Sequence, residues 1–463
     1  MTTGFHGSPT SVKDLYRTCY KGDIAEVEGR FCRLFTPPEV LPDTSPRHLL
    51  NELGKTNGPM DEQNAADPIG DSNVPAGFTF FGQFVDHDIT LDTVSQLDSL
   101  AVPGAIRNMR TPSLDLDCVY AGGREATPYL YKPDGRLITR PVVDVDSAAP
   151  FRDLLRVNVG GNIRRAVIGD PRNDENPFIS QLQLGMIEFH NHVFAALPAT
   201  EHRFEDARDT VIHYYHRVIL EDFLPRIIDN DLLEDICIHG NCYYKIDQGR
   251  QPCMPVEFAV AAYRYGHSQV RARYNYNDNQ LDVDVFQLGA FRRVQHKIDW
   301  KYLFELNGGA DTQMARKIDT ALPHALMAMP MRITGIEGDS LAARNLRRGL
   351  SFRLPSGQAI ARKMEADGKL SGSVLEVSDE LKALGFKQTP LWYYCLQEAQ
   401  TIGSGNKLGP VGGRIVAEVL VGLLNEYRNR TGKGLDYLPA VTVPQQESDR
   451  FQIIDLLTYA EVV

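Results

Sequence analysis

Long stretches with apolar residues three and four positions apart limit most strongly how this 463-residue chain can fold. The clearest are FISQLQLGMIEFHNHVFAAL (178–197) and ARDTVIHYYHRVILEDFLPRII (207–228). This spacing places apolar side chains on one face of an α-helix, and that face must pack against other helices. Strand-like alternation is confined to short pieces such as QLDVDVFQL (280–288). The pattern predicts a mainly α-helical protein with little β structure.

Five more stretches share the helical spacing and extend the prediction over much of the chain. They are residues 255–272, 312–329, 340–354, 389–403 and 409–430. The first part of the chain differs, because FTPPEVLPDTSP and DEQNAADPIGDSN are rich in turn-forming residues. The sequence shows no internal repeat or obvious linker. It predicts an N-terminal arm over residues 1–70 and a single large helical domain over residues 71–463.

Charge and hydropathy limit the partners and the location of the protein. The net charge of −11 disfavours nucleic acid, because a phosphate backbone would be repelled. No stretch approaches the roughly 18–20 uninterrupted apolar residues of a membrane span, so none is expected. The start, MTTGFHGSPTSVKDLY, lacks a basic region followed by an apolar one. The expected location is the cytoplasm, or outside the cell after export without a leader.

The seven cysteines are odd in number and scattered along the chain. They do not form the regular spacing of a disulfide framework or the paired spacing of a zinc site. Cys237 and Cys242 are close enough in sequence to pair, but reduced buried thiols are favoured.

The stretch GQFVDHD (82–88) interrupts an apolar, aromatic run with ionisable residues, which are costly to bury unless they are paired or bound. On a helix, Gln83, Asp86 and His87 lie on or near one face. Asp88 follows one residue later, so it is rotated by about 100° toward a different environment. The helix could therefore serve two sites, although a polar surface turn explains this stretch equally well.

The stretch TPSLDLD (111–117) places oxygen-bearing side chains at alternating positions. They belong to Thr111, Ser113, Asp115 and Asp117. Such a loop can surround a hard cation with side-chain and carbonyl oxygens, as calcium prefers. Asp88 could add another oxygen from outside the loop. Taken alone, this pattern is more typical of a solvated strand edge.

Three further motifs combine cationic side chains with other polar groups. IGDPRNDENPF (168–178) contains Arg172 and Glu175 in a turn ahead of a long helix, where a fixed guanidinium could stabilise developing negative charge. AAYRYGHSQV and AARNLRRG add the side chains of Arg264, His267, Asn345 and Arg348. Each motif alone also fits a salt-bridged turn, a structural histidine or a solvated cationic face.

The five motifs occur together and in a fixed order. With the spacing from Thr111 to Tyr120 in TPSLDLDCVY, they resemble the animal-type haem peroxidases of the peroxidase–cyclooxygenase superfamily, which includes myeloperoxidase, lactoperoxidase and many bacterial members. The motifs lie between about residues 78 and 350, and LGPVGGRIVAEVLVGLL from residue 408 is similar to a late helix of the family. The resemblance implies that residues 71–463 form a haem peroxidase domain, and it does not extend to the arm.

The resemblance implies a haem group between two histidines. His87 would be the distal histidine, with Gln83 and Arg172 beside it in the distal pocket. His267 would bind the haem iron, and Asn345 would accept a hydrogen bond from its other ring nitrogen.

Further cofactor contacts follow from the same resemblance. Arg264 and Arg348 match arginines near the haem propionates, while Asp86 and Glu175 match carboxylates that family members can join to haem b as esters. Ester formation requires turnover with peroxide. A methionine follows that glutamate in some members and forms a sulfonium link; Asn176 occupies the position here, so this third bond is expected to be absent.

The resemblance also implies a calcium ion beside the haem pocket. Its ligands would be Asp88, Thr111, the Ser113 carbonyl, Asp115 and Asp117. On one helix, Asp86 would then face haem, His87 would face peroxide, and Asp88 would bind the ion that holds the helix in place.

The activity implied by the resemblance is reduction of hydrogen peroxide, with a place in the response to oxidative stress. His87 would move a proton between the peroxide oxygens, and Arg172 would stabilise charge on the departing oxygen. A ferryl iron and an organic radical would then oxidise halide, thiocyanate or aromatic donors.

Three alternatives remain open at this point. A fatty-acid dioxygenase of the superfamily would carry a radical tyrosine three residues before the proximal histidine, but Arg264 stands there and Tyr265 lies two before. A catalytically idle, calcium-stabilised binding module would retain the fold without the chemistry. Glu188, His190 and His192 could be a non-haem metal site, although alternate positions on a helix diverge and favour a structural role.

Overall fold

Helices dominate the computed structural model. It describes residues 29–38, 46–64, 70–92, 107–144, 150–161, 163–246, 251–287, 297–306, 308–331, 338–433, 437–447 and 449–463. In this part of the chain the helices are α1 (Pro46–Gly54), α2 (Gly77–Ile89), α3 (Asp117–Tyr120), α4 (Pro177–Ala196), α5 (Arg203–Arg217), α6 (Leu224–Ile227), α7 (Asn230–His239), α8 (Val256–Val260), α9 (His324–Met327), α10 (Leu341–Ser351), α11 (Gly357–Ala366), α12 (Asp379–Ala383), α13 (Leu391–Thr401), α14 (Pro410–Thr431) and α15 (Ile453–Tyr459).

Short strands pair into small sheets at the edges of the helical body. They are β1 (Gly29–Cys32), β2 (Asp71–Pro75), β3 (Arg107–Asn108), β4 (Thr139–Val143), β5 (Pro150–Leu154), β6 (Arg156–Gly160), β7 (Ile163–Ala166), β8 (Met254–Pro255), β9 (Arg273–Tyr274), β10 (Val283–Asp284) and β11 (Met314–Arg316). Strand β1 pairs antiparallel with β3 and parallel with β8, while β4–β5 and β6–β7 form antiparallel hairpins. Strands β9–β10 and β2–β11 form the other described pairs.

Short 3₁₀ and π segments complete the helical structure. The 3₁₀ turns are Glu62–Asn64, Pro128–Leu130, Pro171–Asp174, Ala262–His267 and Trp300–Tyr302. A π-helical turn, Val218–Phe223, joins α5 to α6.

The mainly α-helical prediction is confirmed, and its strongest segments match the structure closely. Helices α4, α10, α13 and α14 occupy the stretches that the apolar spacing predicts. Residues 312–329 are an exception, because they contain strand β11 and only the four-residue helix α9. The expectation of no appreciable sheet also missed the two hairpins between residues 139 and 166. Their strands are mostly exposed, so apolar periodicity gave little signal.

Helix α2 lies in the core because aromatic residues surround it. Phe81 and Phe84 are fully buried and pack edge-to-face on Tyr215 of α5, with ring centroids 6.3 and 6.2 Å apart. Phe80 packs on Phe178 at the start of α4, with 4.7 Å between centroids. Such pairs add to the hydrophobic gain of burial. The result is a rigid platform for the polar residues that follow on the same helix.

Residues 29–35 are attached to the helical domain by a disulfide and by hydrogen bonds. Most of the predicted arm lies outside the described residues. A disulfide joins Cys32 to Cys253. The buried Glu257 side chain accepts hydrogen bonds from the amides of Leu34 and Phe35, at 3.0 and 3.2 Å. The division at residue 70 stays a prediction.

The structure contains a long-range disulfide that the sequence did not predict. Pairing of Cys32 with Cys253, 221 residues apart, carries no local sequence signal. Cys237 and Cys242 do not pair in the structure, nor do Cys118 and Cys395. Within the described residues, no helix is both long and apolar enough to cross a membrane.

Candidate functional site

The imidazole of His87 is fixed by an amide chain. His87 lies on α2 and is buried, with Nδ1 2.7 Å from Oδ1 of Asn173. The amide nitrogen of Asn173 donates to Oε1 of Gln183 on α4, at 2.8 Å. Because Asn173 presents an acceptor to His87, the ring proton resides on Nδ1 and Nε2 carries a lone pair. No described residue hydrogen-bonds to Nε2.

Burial sets the protonation state of this ring. Removal from water, with a smaller contribution from the nearby Arg172, lowers the pKa of His87 to about 4. Asp170, Glu175 and Asp86 oppose the shift but do not cancel it. The imidazole is therefore neutral at ordinary pH and able to accept a proton.

Arg172 is held beside α2 by a buried carboxylate. Its guanidinium donates to the carbonyl oxygen of His87 at 2.9 Å and to Oδ2 of Asp170 at 2.8 Å. Arg110 also pairs with Asp170, at 2.7 Å. Burial alone would raise the pKa of Asp170, but the two guanidinium groups outweigh it and hold that pKa well below its usual range. Asp170 is thus ionised and positions Arg172.

Asp86 and Glu175 approach the same region from two elements. Gln83 of α2 donates a hydrogen bond to Oε1 of Glu175, which follows the 3₁₀ turn Pro171–Asp174. Thr90 donates to Oδ1 of Asp86 at 2.9 Å. Both carboxylates are half-buried. Gln83, Asp86, His87, Arg172 and Glu175 are therefore brought together, as the sequence predicted.

His267 ends the 3₁₀ helix Ala262–His267 and contacts Asn345 of α10. Nδ1 of His267 lies 2.7 Å from Nδ2 of Asn345, whose oxygen accepts a hydrogen bond from Arg264 at 2.9 Å. The predicted contact is present, but its direction is reversed. Asn345 presents a donor to the ring rather than the expected acceptor, because Arg264 occupies its oxygen.

The 3₁₀ helix faces α2, which carries His87. Tyr263 places its hydroxyl oxygen 3.8 Å from the position that a Cβ on Gly82 would take, which is ordinary van der Waals contact between the two elements. Burial, followed by repulsion from Arg348, lowers the pKa of Arg264 to about 10, while Asp86 acts to raise it. Asp86 therefore lies within electrostatic reach of both His87 and Arg264. The two predicted histidine sites share one region.

Two half-buried guanidinium groups, those of Arg264 and Arg348, lie close enough in this region to repel each other. Arg348 lies 3.9 Å from Asp92, and burial lowers its pKa although Asp92 acts in the opposite direction. Burying like charges is unfavourable unless anions compensate them. The residues present therefore fit an anionic group such as haem with its propionates.

The predicted calcium loop lies against the far side of α2. Oδ2 and Oδ1 of Asp88 accept hydrogen bonds from the amides of Leu116 and Cys118, at 3.2 and 3.3 Å. Leu114 and Leu116 have φ of 50° and 58°, a left-handed conformation that costs roughly 1–3 kcal/mol each. Nε2 of His216 lies 2.8 Å from the carbonyl oxygen of Leu114, so a hydrogen bond connects the loop to α5. The loop is thus strained and held in a defined shape.

The negative charges of the acidic side chains in this loop are not fully balanced by hydrogen-bond donors or cations among the described residues. Oδ1 of Asp115 is buried and has no hydrogen-bond partner among the described residues. Burial, with Asp88 and then Asp117, raises the pKa of Asp115 well above its ordinary value. Arg110 pairs with Asp117 at 2.9 Å. A cation would relieve this repulsion.

The described side chains do not, however, form a closed metal site. No group of three or more His, Cys, Asp or Glu residues in this part of the chain is arranged to hold a metal ion. Backbone amides engage the Asp88 carboxylate, and Arg110 engages that of Asp117. Thr111 and Ser113 border the same loop, and Ser113 contacts Arg430 at 3.4 Å.

The alternative metal cluster is not formed. Glu188 contacts Thr139 and Arg152, whereas His190 lies 3.1 Å from the Tyr120 hydroxyl. His192 turns back to the carbonyl of Glu188, at 2.9 Å. Their divergence agrees with the structural role favoured from sequence.

Sequence reasoning missed Asn173, Asp170 and Gln183. Asp170 and Asn173 flank Arg172, yet nothing in GDPRND indicates which of them contacts α2. Gln183 follows ten residues after Asn173 on a separate helix. Its polarity within an apolar helix was the one available signal.

The chain matches a known family beyond its individual motifs. The family profile described as animal haem peroxidase matches residues 95–362, more than half of the 463 residues. The chain belongs to the animal haem peroxidase family. The matched range begins at residue 95, after α2 ends. The assignment of His87 to the site therefore rests on the structure and on the sequence motif, and not on this match.

Curated relatives of this haem peroxidase family member are distant. Chorion peroxidase of Drosophila melanogaster is 25% identical over 199 residues, covering 39% of this chain and 24% of that protein. A second Drosophila melanogaster protein, named peroxidase, is 27% identical over 181 residues, covering 35% and 26%. The matches span about a quarter of the length of these relatives.

Solved structures share the fold at low identity. Peroxidase A from Dictyostelium discoideum superposes with a TM-score of 0.60 and 15% identity, covering 89% of this chain and 92% of that one. A fatty acid alpha-dioxygenase from Oryza sativa has a TM-score of 0.51 and 14% identity, covering 87% and 77%. Both support a mainly helical peroxidase fold.

Proposed function

We propose that the protein is a haem peroxidase that reduces hydrogen peroxide and oxidises small donors such as halide, thiocyanate or aromatic compounds. The observation that carries the proposal is the fixed, neutral His87. Its Nδ1–H donates to Asn173, so Nε2 is available as a base. One ring can then take a proton from one peroxide oxygen and return it to the other.

Arg172 would complete this chemistry. Its position beside the His87 carbonyl places a cation next to the proposed base. Asp170 is shared with Arg110, so one carboxylate does not by itself cancel the local positive charge. A fixed cation in a buried pocket stabilises negative charge on a departing oxygen more strongly than it would in water.

Haem b is the proposed cofactor, with His267 as its iron ligand and Arg264 and Arg348 near its propionates. Haem would supply the iron that accepts peroxide and holds its oxidising equivalents. The orientation of the Asn345 amide affects which ring nitrogen of His267 can bind iron. A ring that accepts at Nδ1 carries its proton on Nε2, so coordination through Nε2 needs the Asn345 amide to turn over.

Asp86 and Glu175 are the proposed ester-forming residues, because their carboxylates contact Thr90 and Gln83 and lie within electrostatic reach of His87. Asn176 forms the cap of α4 by accepting a hydrogen bond from the Ile179 amide at 3.0 Å. Its side chain is thus engaged by the helix. An amide also lacks the sulfur that a sulfonium link requires.

Calcium is proposed for the loop that contacts Asp88, with Thr111, the Ser113 carbonyl, Asp115 and Asp117 as ligands. The unpartnered oxygen of Asp115 supports this proposal. Calcium content after dialysis tests it, with Asp115→Asn expected to lose the ion. Asp134→Asn is the matched control, because Asp134 lies on an exposed turn paired with Arg136. Equal calcium in both variants would refute the site.

The rival within the superfamily is a fatty-acid dioxygenase, and the Oryza sativa fold supports keeping it as a second candidate. Arg264 disfavours it, because this side chain bonds Asn345 and supplies no phenol three residues before His267. Comparing fatty-acid oxygenation with peroxide turnover separates the two. A larger oxygenation rate would favour the rival.

The main test is an absorption spectrum of haem-loaded protein before and after peroxide, followed by denaturation to see whether haem stays attached. His267→Ala should lose haem or its normal spectrum. His87→Ala should retain haem and react slowly with peroxide. His192→Ala, on α4, is the control. Bound haem that never responds to peroxide would favour an idle binding module.

The proposed location is an oxidising compartment or the exterior, rather than the cytoplasm. The Cys32–Cys253 disulfide favours this choice, because cytosolic thiols are kept reduced. Thiol counting on protein from its native cells tests it. Two fully reactive thiols at these positions would contradict it.

A further inference from the structure

A buried indole contacts the segment that carries His267. Trp392 of α13 donates its Nε1–H to the backbone carbonyl of Arg264, at 3.1 Å. Arg264 and His267 belong to the same 3₁₀ helix, three residues apart. The indole is 3% exposed. Trp392 therefore contacts the segment that carries the proposed iron ligand.

Tyr393, the residue after Trp392, is hydrogen-bonded to a side chain at the protein surface. Tyr393 is also buried, but its hydroxyl donates to Oε2 of Glu380 at 3.2 Å. Glu380 lies on α12 and is exposed. The phenolic proton thus has a carboxylate acceptor in contact with solvent. A buried ring and a solvated proton acceptor are joined by one hydrogen bond.

We propose that Trp392 and Tyr393 carry oxidising equivalents from the haem to the protein surface. The inference rests on the proposed peroxidase function, in which each peroxide takes up two electrons and two protons to give two waters. One electron leaves Trp392 toward the haem, and the indole keeps its N–H bond to the Arg264 carbonyl. An electron then moves from Tyr393 to Trp392, while the phenolic proton passes to Glu380.

The cycle closes with an external one-electron donor. The donor returns an electron to Tyr393, and Glu380 returns the proton. Two such transfers use the two equivalents of one peroxide. The route would serve reductants too large to enter a haem pocket, because they would need to reach only the surface beside Tyr393.

Neighbouring aromatic residues fit this role less well. Tyr263 lies four residues before His267 and is buried, but its hydroxyl has no partner among the described residues. Its oxidation would release a proton with no acceptor in contact. Tyr394, adjacent to Tyr393, accepts a hydrogen bond from the Leu375 amide at 3.0 Å. Only Tyr393 of these three bonds a carboxylate.

The test is electron paramagnetic resonance of haem-loaded protein frozen rapidly after one equivalent of hydrogen peroxide. The wild type should show an organic radical that Trp392→Phe lacks. Tyr393→Phe should replace a phenoxyl signal by an indole signal, and Glu380→Gln should also weaken the phenoxyl signal. Each of the last two changes removes only one hydroxyl or one charge, so the fold should persist.

Matched controls come from the chain itself. Trp300 is the only other tryptophan and is equally buried, so Trp300→Phe should retain the signal. Tyr394→Phe should retain it as well. Mass spectrometry of a nitroso spin-trap adduct should locate the radical at Tyr393.

Two negative results have different meanings. If the haem spectrum responds to peroxide but Trp392→Phe and Tyr393→Phe keep the wild-type radical, the relay is wrong and the peroxidase proposal stands. Adducts confined to Trp300 or Tyr394 would have the same meaning. If no variant or wild-type spectrum responds to peroxide, both proposals fail.

Discussion

Asn173 places its side-chain oxygen 2.7 Å from Nδ1 of His87, while its nitrogen donates to Gln183. An amide has distinct donor and acceptor ends, so Gln183 fixes Asn173 and Asn173 fixes the tautomer of His87. The imidazole of His87 on α2 is thus oriented by residues from a turn and from α4. The catalytic proposal depends on this chain of two hydrogen bonds.

Asn173→Ala should slow the reaction with peroxide. Without the Oδ1 acceptor, the proton of His87 can move to Nε2, which then no longer acts as a base. We expect a loss of about tenfold to a hundredfold in the peroxide step, the usual effect of removing an orienting partner. Stopped-flow absorbance of haem-loaded protein measures it.

A shared control separates orientation from stability. Asn158→Ala removes an exposed asparagine that bonds only the Gly160 amide, and it should react like the wild type. Gln183→Leu should reproduce part of the Asn173→Ala defect, because it releases the Asn173 amide. A full rate in both Asn173→Ala and Gln183→Leu would remove this orientation from the mechanism.

Periodicity predicted most of the helices, and motif order named residues that the structure brings together in the candidate site, but neither predicted how the polar groups pair. Helices α4 and α14 have continuous apolar faces, so their spacing was sufficient. The helix prediction for residues 312–329 failed because the tertiary pairing of β11 with β2 overrides the local apolar spacing. The Asn173–His87 and Cys32–Cys253 contacts join residues 86 and 221 positions apart, which no local pattern encodes.

Asn345→Asp should strengthen haem binding and lower the reduction potential of the bound iron. A carboxylate has two acceptor oxygens, so it can bond both Nδ1–H of His267 and the guanidinium of Arg264. Asn345 offers its single oxygen to Arg264. Negative charge at the ring increases electron donation to iron. Haem titration and spectroelectrochemistry measure the two effects.

Two companion variants define this prediction. Asn345→Leu should weaken haem binding, because the ring loses its orienting partner. Arg347→Ala is the control on the same helix; its guanidinium bonds the Ala343 carbonyl at 3.3 Å. An unchanged potential in Asn345→Asp would show that this residue does not tune His267.

Removing the Cys32–Cys253 disulfide should destabilise the protein by about 2–5 kcal/mol. The bond closes a loop with a sequence separation of 221 residues and joins β1 to the segment before α8. Its loss restores conformational freedom to the unfolded chain. Urea unfolding of Cys32→Ser/Cys253→Ser under oxidising conditions measures the change. Cys237→Ser, at an exposed free thiol, should match the wild type.

A lowered pKa at His190 predicts acid sensitivity of the fold. Burial, with a smaller contribution from Arg208, lowers the pKa of His190 to about 4, while the nearby Gly135 backbone acts to raise it. The unfolded chain binds this proton below about pH 6.5. Between those values the unfolded state holds more protons, so stability is present above pH 6.5 and is lost as pH falls toward 4.

His190→Gln should therefore flatten the loss of stability between about pH 6.5 and pH 4. Glutamine does not titrate, and its amide can still contact the Tyr120 hydroxyl, which lies 3.1 Å from Nδ1 of His190. The free energy of unfolding in urea, measured at several pH values, gives the slope. His202→Gln, whose side chain is 72% exposed, should keep the wild-type slope. Identical slopes in His190→Gln and wild type would show that His190 takes up no extra proton on unfolding.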